Sequence, residues 1–156
     1  MKIAEKSIVF LATGGYIGLI PMAPGTFGSI LGLPLSYLIS QINLWYGILF
    51  MSIAFVSAVF ISNEAEKYME VKDPGSVIID EVIGLMAALW GLPFNAYTAL
   101  TGFILFRFFD IAKPFPIKRI EMKLTGGWGI TLDDVLAGFY ANLVLRVGLW
   151  AIGNGP

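Results

Sequence analysis

Long uncharged stretches separated by short charged clusters organise this chain. Residues 7–63, 82–106 and 135–145 contain no Asp, Glu, Lys or Arg. The charges gather at residues 2–6, 64–73, 80–81, 107–123 and 133–134, with Arg146 standing alone. Ser40-Gln41-Ile42-Asn43 interrupts the first uncharged stretch, and Gly91-Leu92-Pro93-Phe94-Asn95 interrupts the second. Proline and asparagine at such breaks predict turns. Each stretch therefore reads as a helical hairpin that crosses a membrane and returns, with its uncharged turn on the far side.

A topology follows. Residues 27–39 run outward from an inside N-terminus, 44–62 return, and the charged loop 63–76 lies inside. Residues 77–90 run outward and 96–111 return. The loop 113–123 is inside, and 135–152 run outward again. A full span needs about 20 apolar residues, so the third and fourth segments predict tilt or partial insertion. Lys113, Lys118, Arg119 and Lys123 share one loop, and the positive-inside rule makes that face cytoplasmic. Arg146 lies about 18 Å beyond Asp134 at helical rise. It is expected to snorkel or to reach a lipid headgroup on the far side.

The predicted fold class is all-α: a compact helical membrane protein with short hairpins and acidic motifs at the cytoplasmic ends of helices. Residues 1–156 read as a single domain without internal repeats.

Composition supports a bilayer as solvent. Hydrophobic residues make up 57% and charged residues 13%, and the mean hydropathy is +0.79. An average soluble domain is roughly 25% charged. The net charge of -1 argues against a nucleic-acid partner, and nothing points to an obligate protein partner. Lys2 and Lys6 precede an apolar run at 7–20, as in a signal peptide. Gly14, Gly15 and Gly18 interrupt that run and no small-x-small site follows, so the segment is expected to be retained.

The chain has no cysteine and no histidine. That excludes disulfides, thiolate metal sites, phosphohistidine intermediates, serine–histidine triads and histidine-bound zinc. Catalysis must rest on carboxylates, Lys, Arg, hydroxyls, backbone amides and hard metal ions.

Three acidic groups border the apolar segments: Asp80-Glu81, Asp110 and Asp133-Asp134. A carboxylate at the bilayer centre costs about 2.5–3.5 kcal/mol, and nearby cations are few. A bound divalent ion compensates economically, and oxygen-only ligands suit magnesium. Gly84 follows Glu81 by three residues and Gly138 follows Asp134 by four, so each glycine shares a helix face with its acid. Close helix approach at those glycines would let the acids meet. The plainer reading is that the acids mark helix N-termini, with Ser76 as a cap.

In FRFFDIAKPFP, Arg107 and Asp110 are three apart, Lys113 follows three further on, and Pro114 ends the helix. The spacing fits a phosphate-clamping arginine beside a metal-binding aspartate, or an ordinary ion pair. GGYIGLIPMAPGTFGS offers backbone amides and the hydroxyls of Thr26 and Ser29 to a phosphate, or packs as an irregular segment. It has no Walker lysine. In GGWGITLDD, the glycines permit a tight turn into Asp133 and Asp134, with Trp128 as an interfacial anchor.

PMAPGTFGS, GSVIIDEVIGL, FRFFDIAKPFPI and GGWGITLDDVLAG, in that order, resemble the phosphatidylglycerophosphatase A family. The resemblance covers residues 12–138. It implies a magnesium-dependent phosphatase that converts phosphatidylglycerophosphate to phosphatidylglycerol, in the bacterial inner membrane with its site facing the cytoplasm. Carried onto this chain, the motif acids are Asp80, Glu81, Asp110, Asp133 and Asp134, and the motif cations are Arg107 and Lys113. A histidine often precedes the paired glycines in this family, and Thr125 stands there here. The expected arrangement has Glu81, Asp110 and Asp134 holding magnesium, with Asp80 and Asp133 as further ligand, base or support. Arg107 and Lys113 hold phosphate oxygens, helped by Thr26 and Ser29. The nucleophile is metal-activated water or an aspartate. The DxD pattern of aspartate-nucleophile phosphatases is missing, which favours water.

Two rival readings stand beside this. A CDP-alcohol phosphotransferase also sets aspartates and magnesium at cytoplasmic helix ends, but its D-G, A-R and spaced-aspartate signature is missing here. A small channel or transport subunit would turn the acids toward a pore rather than gather them at one membrane face.

Overall fold

The computed structural model describes residues 3–153. Lys2, one of the two N-terminal cations, lies outside them. The described residues form α-helices and connecting turns, without strands. In chain order these are α1 (Ile3–Ala12), a short 3-10 turn (Ile17–Leu19), α2 (Pro24–Ser40), α3 (Leu44–Met69), α4 (Ile79–Leu89), α5 (Ala96–Ala112), α6 (Ile117–Lys123) and α7 (Gly127–Ala151).

Local chemistry sets the boundaries. Pro24 occupies the first position of α2, where a missing N–H costs nothing. Asn43 caps α3 by accepting from the Trp45 amide at 2.9 Å. Asn95 opens α5 with a capping box. Its side chain accepts from the Tyr97 and Thr98 amides, and the Thr98 hydroxyl accepts from the Asn95 amide at 3.0 Å. The predicted turns at 40–43 and 91–95 are thus both present. The basic segment expected as a loop instead contains α6. Ser76 does not cap α4, because its hydroxyl is turned toward the Met69 sulfur at 3.8 Å.

Helix α4 is the axle of the fold. Nine of its eleven residues are buried. One face packs Leu85, Ala88 and Leu89 against Phe106 of α5 and Ala137, Ala141 and Leu145 of α7. The other packs Val82, Ile83 and Met86 against Ile39 of α2 and Met51 and Ala58 of α3. At about 16 Å, α4 is half the thickness of a hydrocarbon core. It is enclosed by its neighbours rather than exposed as a span.

Helix α3 differs. Its 26 residues make it long and apolar enough to cross a membrane by length and composition. It also turns large apolar side chains outward: Trp45 is 75% exposed, Phe60 60% and Ile53 58%. Tyr97, Ile111 and Trp150 are similarly bare on α5 and α7. So many exposed large apolar side chains favour an apolar surrounding, and α3 suggests association with a membrane.

Candidate active site

The acids predicted from sequence come from three helices that meet around α4. Asp80 and Glu81 occupy the first turn of α4. Asp133 and Asp134 lie early in α7, and Asp110 lies in the last turn of α5. Glycine makes the convergence possible. A Cβ on Gly138 would overlap the Gly84 carbonyl oxygen, and one on Gly84 would lie 2.9 Å from the Asp134 carbonyl oxygen. Only bare backbone lets α4 and α7 come this close.

Asp80, Glu81 and Asp134 form a tight trio, with one carboxylate oxygen from each within 4.8 Å of the others. Asp110 stands beside this trio, close enough for its charge to act on Glu81 and Asp134, and its Oδ2 accepts from Arg107 Nη1 at 2.6 Å.

Burial makes the cluster informative. Asp80, Asp133 and Asp134 are 8%, 5% and 4% exposed. Asp80 Oδ1, Glu81 Oε2, Asp133 Oδ1 and Asp134 Oδ2 are all buried without a hydrogen-bond partner. Uncompensated buried carboxylates are costly, and native structures rarely leave such oxygens unpaired. An all-oxygen donor set with unsatisfied lone pairs fits a hard divalent cation. The acidic cluster can hold a metal ion.

Lys113 ties the cluster to α6. Its Nζ donates to Asp133 Oδ2 at 2.6 Å and to Glu121 Oε1 at 2.8 Å. Burial alone would lower the Lys113 pKa, but the hydrogen bonds it donates to Asp133 and Glu121 outweigh it and hold the ammonium above its ordinary value. Burial pushes Asp133 up to about 6, against the opposing pull of Lys113. Lys113 itself is a left-handed residue, φ 41°, at the end of α5. That conformation is disfavoured for a side chain with a Cβ, and here it turns the chain so that α6 brings Glu121 to Lys113.

The first turn of α2 closes another side. A Cβ on Gly25 would collide with Glu81 Oε1 and stand 2.8 Å from Arg107 Nη1. The positive end of α2 therefore abuts the site. Thr26 is half-buried beside Gly25. Ser29 is fully buried, and its hydroxyl donates to the Gly25 carbonyl at 2.8 Å. Two participants escaped the sequence reading. Glu121 was hidden among four cations, and Gly25 lay within a segment read only as phosphate-binding or irregular.

The family model described as Phosphatidylglycerophosphatase A matches residues 10–149. The chain belongs to the phosphatidylglycerophosphatase A family. A phosphatidylglycerophosphatase A from Haemophilus influenzae is 40% identical over 88% of this chain and 86% of its own length. One from Escherichia coli is 35% identical over 92% of this chain and 85% of its own. A Bacteroides thetaiotaomicron protein, provisionally named a phosphatidylinositol-3-phosphatase, is 34% identical over 93% and 95%. No solved structure matches the chain. Family membership makes this protein a phosphatase, and the four blocks that suggested the resemblance all lie inside the matched residues.

Proposed function

We propose that this protein hydrolyses the terminal phosphate of phosphatidylglycerophosphate, giving phosphatidylglycerol and inorganic phosphate, with magnesium as cofactor. The observation that carries the reading is the set of four buried carboxylate oxygens without partners at the meeting of α4 and α7. The names of the Haemophilus influenzae and Escherichia coli relatives support the substrate.

Asp80, Glu81 and Asp134 hold the metal in this reading. When bound, magnesium neutralises phosphate oxygens and lowers the pKa of a coordinated water. Asp133, anchored by Lys113, lies next to the trio and accepts a proton during attack. Asp110 orients Arg107, whose remaining guanidinium donors face a phosphate oxygen. The first-turn amides of α2 and the Thr26 hydroxyl offer further donors to the same phosphate. Ser29 acts through Gly25, by holding that turn in place. Lys113 balances charge and positions Asp133. We further propose that the protein sits in the bacterial inner membrane with these groups at the cytoplasmic face, where the cation-rich segment 113–123 also lies.

The test is phosphate release by purified protein, with and without magnesium, from phosphatidylglycerophosphate, phosphatidylinositol 3-phosphate and phosphatidic acid. Magnesium-dependent release is expected to be fastest from phosphatidylglycerophosphate. Preference for the inositol lipid would move the assignment to the activity in the Bacteroides relative's name. Full activity without any divalent ion would refute the metal role.

A further inference from the structure

Arg146 is the one charged residue that sequence places on the far side of the molecule, and no carboxylate among the described residues pairs with it. Its Nη2 donates to the carbonyls of Trp90 and Gly91 at 3.0 and 3.1 Å, and its Nε donates to Asn142 Oδ1 at 2.8 Å. The guanidinium thus caps the end of α4. Asn142 already meets the same turn, donating to the Ala88 and Trp90 carbonyls at 2.9 Å. Arg146 Nη1 has no partner among the described residues, and neither has the Trp90 indole N–H. Among the described residues the positive charge has no carboxylate counterion.

Arg146 also stands at the end of a groove. On α7, Leu132, Val135, Phe139, Asn142 and Arg146 recur at alternating steps of three and four, so they form one stripe. Two clefts of about 290 and 190 Å³ lie along it, walled by α3 and floored by Ala87 of α4 and Trp90 just after it. They share Ala87, Trp90 and Phe139, so the two clefts adjoin along the stripe. Their α7 lining reaches from Leu132 to Arg146, about 21 Å at helical rise. Their cause is the splay of α3 from α7. The two touch where Gly127 sits against the Val59 carbonyl and Asn63, and Phe55 meets Trp128 at 5.8 Å. Toward Leu44 a cleft separates the two helices, lined on α7 by Phe139, Asn142 and Arg146.

We propose that this groove holds an anionic phospholipid of the leaflet opposite the acidic site. Its phosphate would pair with Arg146 Nη1 and the Trp90 indole N–H, and one acyl chain would lie along Ala87, Phe139 and Met51. Charge complementarity selects this occupant. The adjoining clefts are lined mainly by apolar side chains and end at a cation whose spare donor meets no acceptor among the described residues. The site depends on membrane association and not on the phosphatase chemistry, so the two stand or fall separately.

The test uses the purified full chain in detergent with equal amounts of phosphatidylserine and phosphatidylcholine, and counts retained lipid by native mass spectrometry. Wild type is expected to retain one phosphatidylserine with about tenfold preference. Arg146→Gln should bring the ratio to about one, and Arg146→Lys should keep most of the preference. Arg107→Gln, which alters the acidic site, should keep it entirely. The proposal is overturned if wild type shows no preference, if Arg146→Gln retains it, or if Arg107→Gln removes it. Should Arg146→Gln fail to fold, Ser52→Trp decides, because it fills the groove from an exposed position on α3 and leaves the α4 cap intact. Loss of retained phosphatidylserine in that variant supports the site, and unchanged retention refutes it.

Discussion

Gly138 rests against the carbonyl of Gly84, one turn below the carboxylates that α7 and α4 bring together. A methyl group at Gly138 would overlap that carbonyl and stand 3.0 Å from Ala87 Cβ and 3.2 Å from the Ala88 amide. None of these is the movable end of a side chain, so the helices must separate. Gly138→Ala should lower stability by about 1–3 kcal/mol, the usual cost of overpacking. It should also reduce phosphate release more than the stability loss explains, since it moves Asp134 away from Asp80 and Glu81. Thermal unfolding and initial rates at a temperature where both proteins are folded test this. An active Gly138→Ala protein with unchanged Tm would show that the contact is slack.

Lys113 offers a second test, because it bridges two acids on different elements. Lys113→Met leaves the buried Asp133 without its cation, and breaking a buried pair this way costs more than the pair contributes. Lys113 is partly exposed, so a loss of about 1–3 kcal/mol is expected rather than the full buried-pair penalty. Glu121→Gln should cost less, since Glu121 is the more exposed partner. A double-mutant cycle between Lys113 and Asp133 should give coupling above about 0.5 kcal/mol. Additive effects would mean that the 2.6 Å pair is energetically idle.

How far the sequence revealed this depends on the kind of feature. The breaks at Ser40–Asn43 and Gly91–Asn95 were visible because caps and turns are local chemistry. The Gly84 and Gly138 contact was visible because helical spacing alone puts each glycine under its acid. Which acids bring their oxygens together was not visible. Arg107 and Asp110 are neighbours by spacing, yet only three-dimensional packing decides whether Asp110 turns to Arg107 or to Glu81. Spacing also could not show that Glu121 reaches Lys113, because that depends on the left-handed turn at Lys113. From sequence Arg146 reads as a cation that snorkels or reaches a lipid headgroup on the far side. Its partners within the protein are the carbonyls that end α4 and the Asn142 side chain, which no local pattern predicts.

Arg107 separates binding from chemistry. It lies between Asp110 and the first turn of α2, where a substrate phosphate oxygen would be held. Charged hydrogen bonds contribute about 1.5–3 kcal/mol, so Arg107→Gln should lower kcat/KM about 10- to 100-fold. If Arg107 grips the phosphate in ground and transition states alike, the loss appears in KM. Arg107→Lys should recover part of it, though the two-pronged geometry is lost. Equal kcat/KM for Arg107→Gln and wild type would reduce Arg107 to the structural partner of Asp110.

Neutralising Asp134 should produce opposite effects on stability and activity. Asp80, Glu81 and Asp134 present like charges within 4.8 Å of each other, and Asp134 is almost fully buried. Without a cation, burial and the neighbouring carboxylates disfavour the charged form of Asp134, so Asp134→Asn, which has no charge to bury, should make the metal-free protein more stable than wild type. With magnesium the order should reverse. A ligand that binds only the folded state stabilises it by about 2.7 kcal/mol at a hundred times its Kd, and Asp134→Asn should lose most of that gain along with phosphate release. Melting curves with chelator and over a magnesium titration supply a readout that does not depend on turnover. If wild type melts at the same temperature in chelator and in excess magnesium, the carboxylates do not share an ion. If Asp134→Asn is the less stable protein in chelator, the acids already share protons and hydrogen bonds that the amide cannot replace.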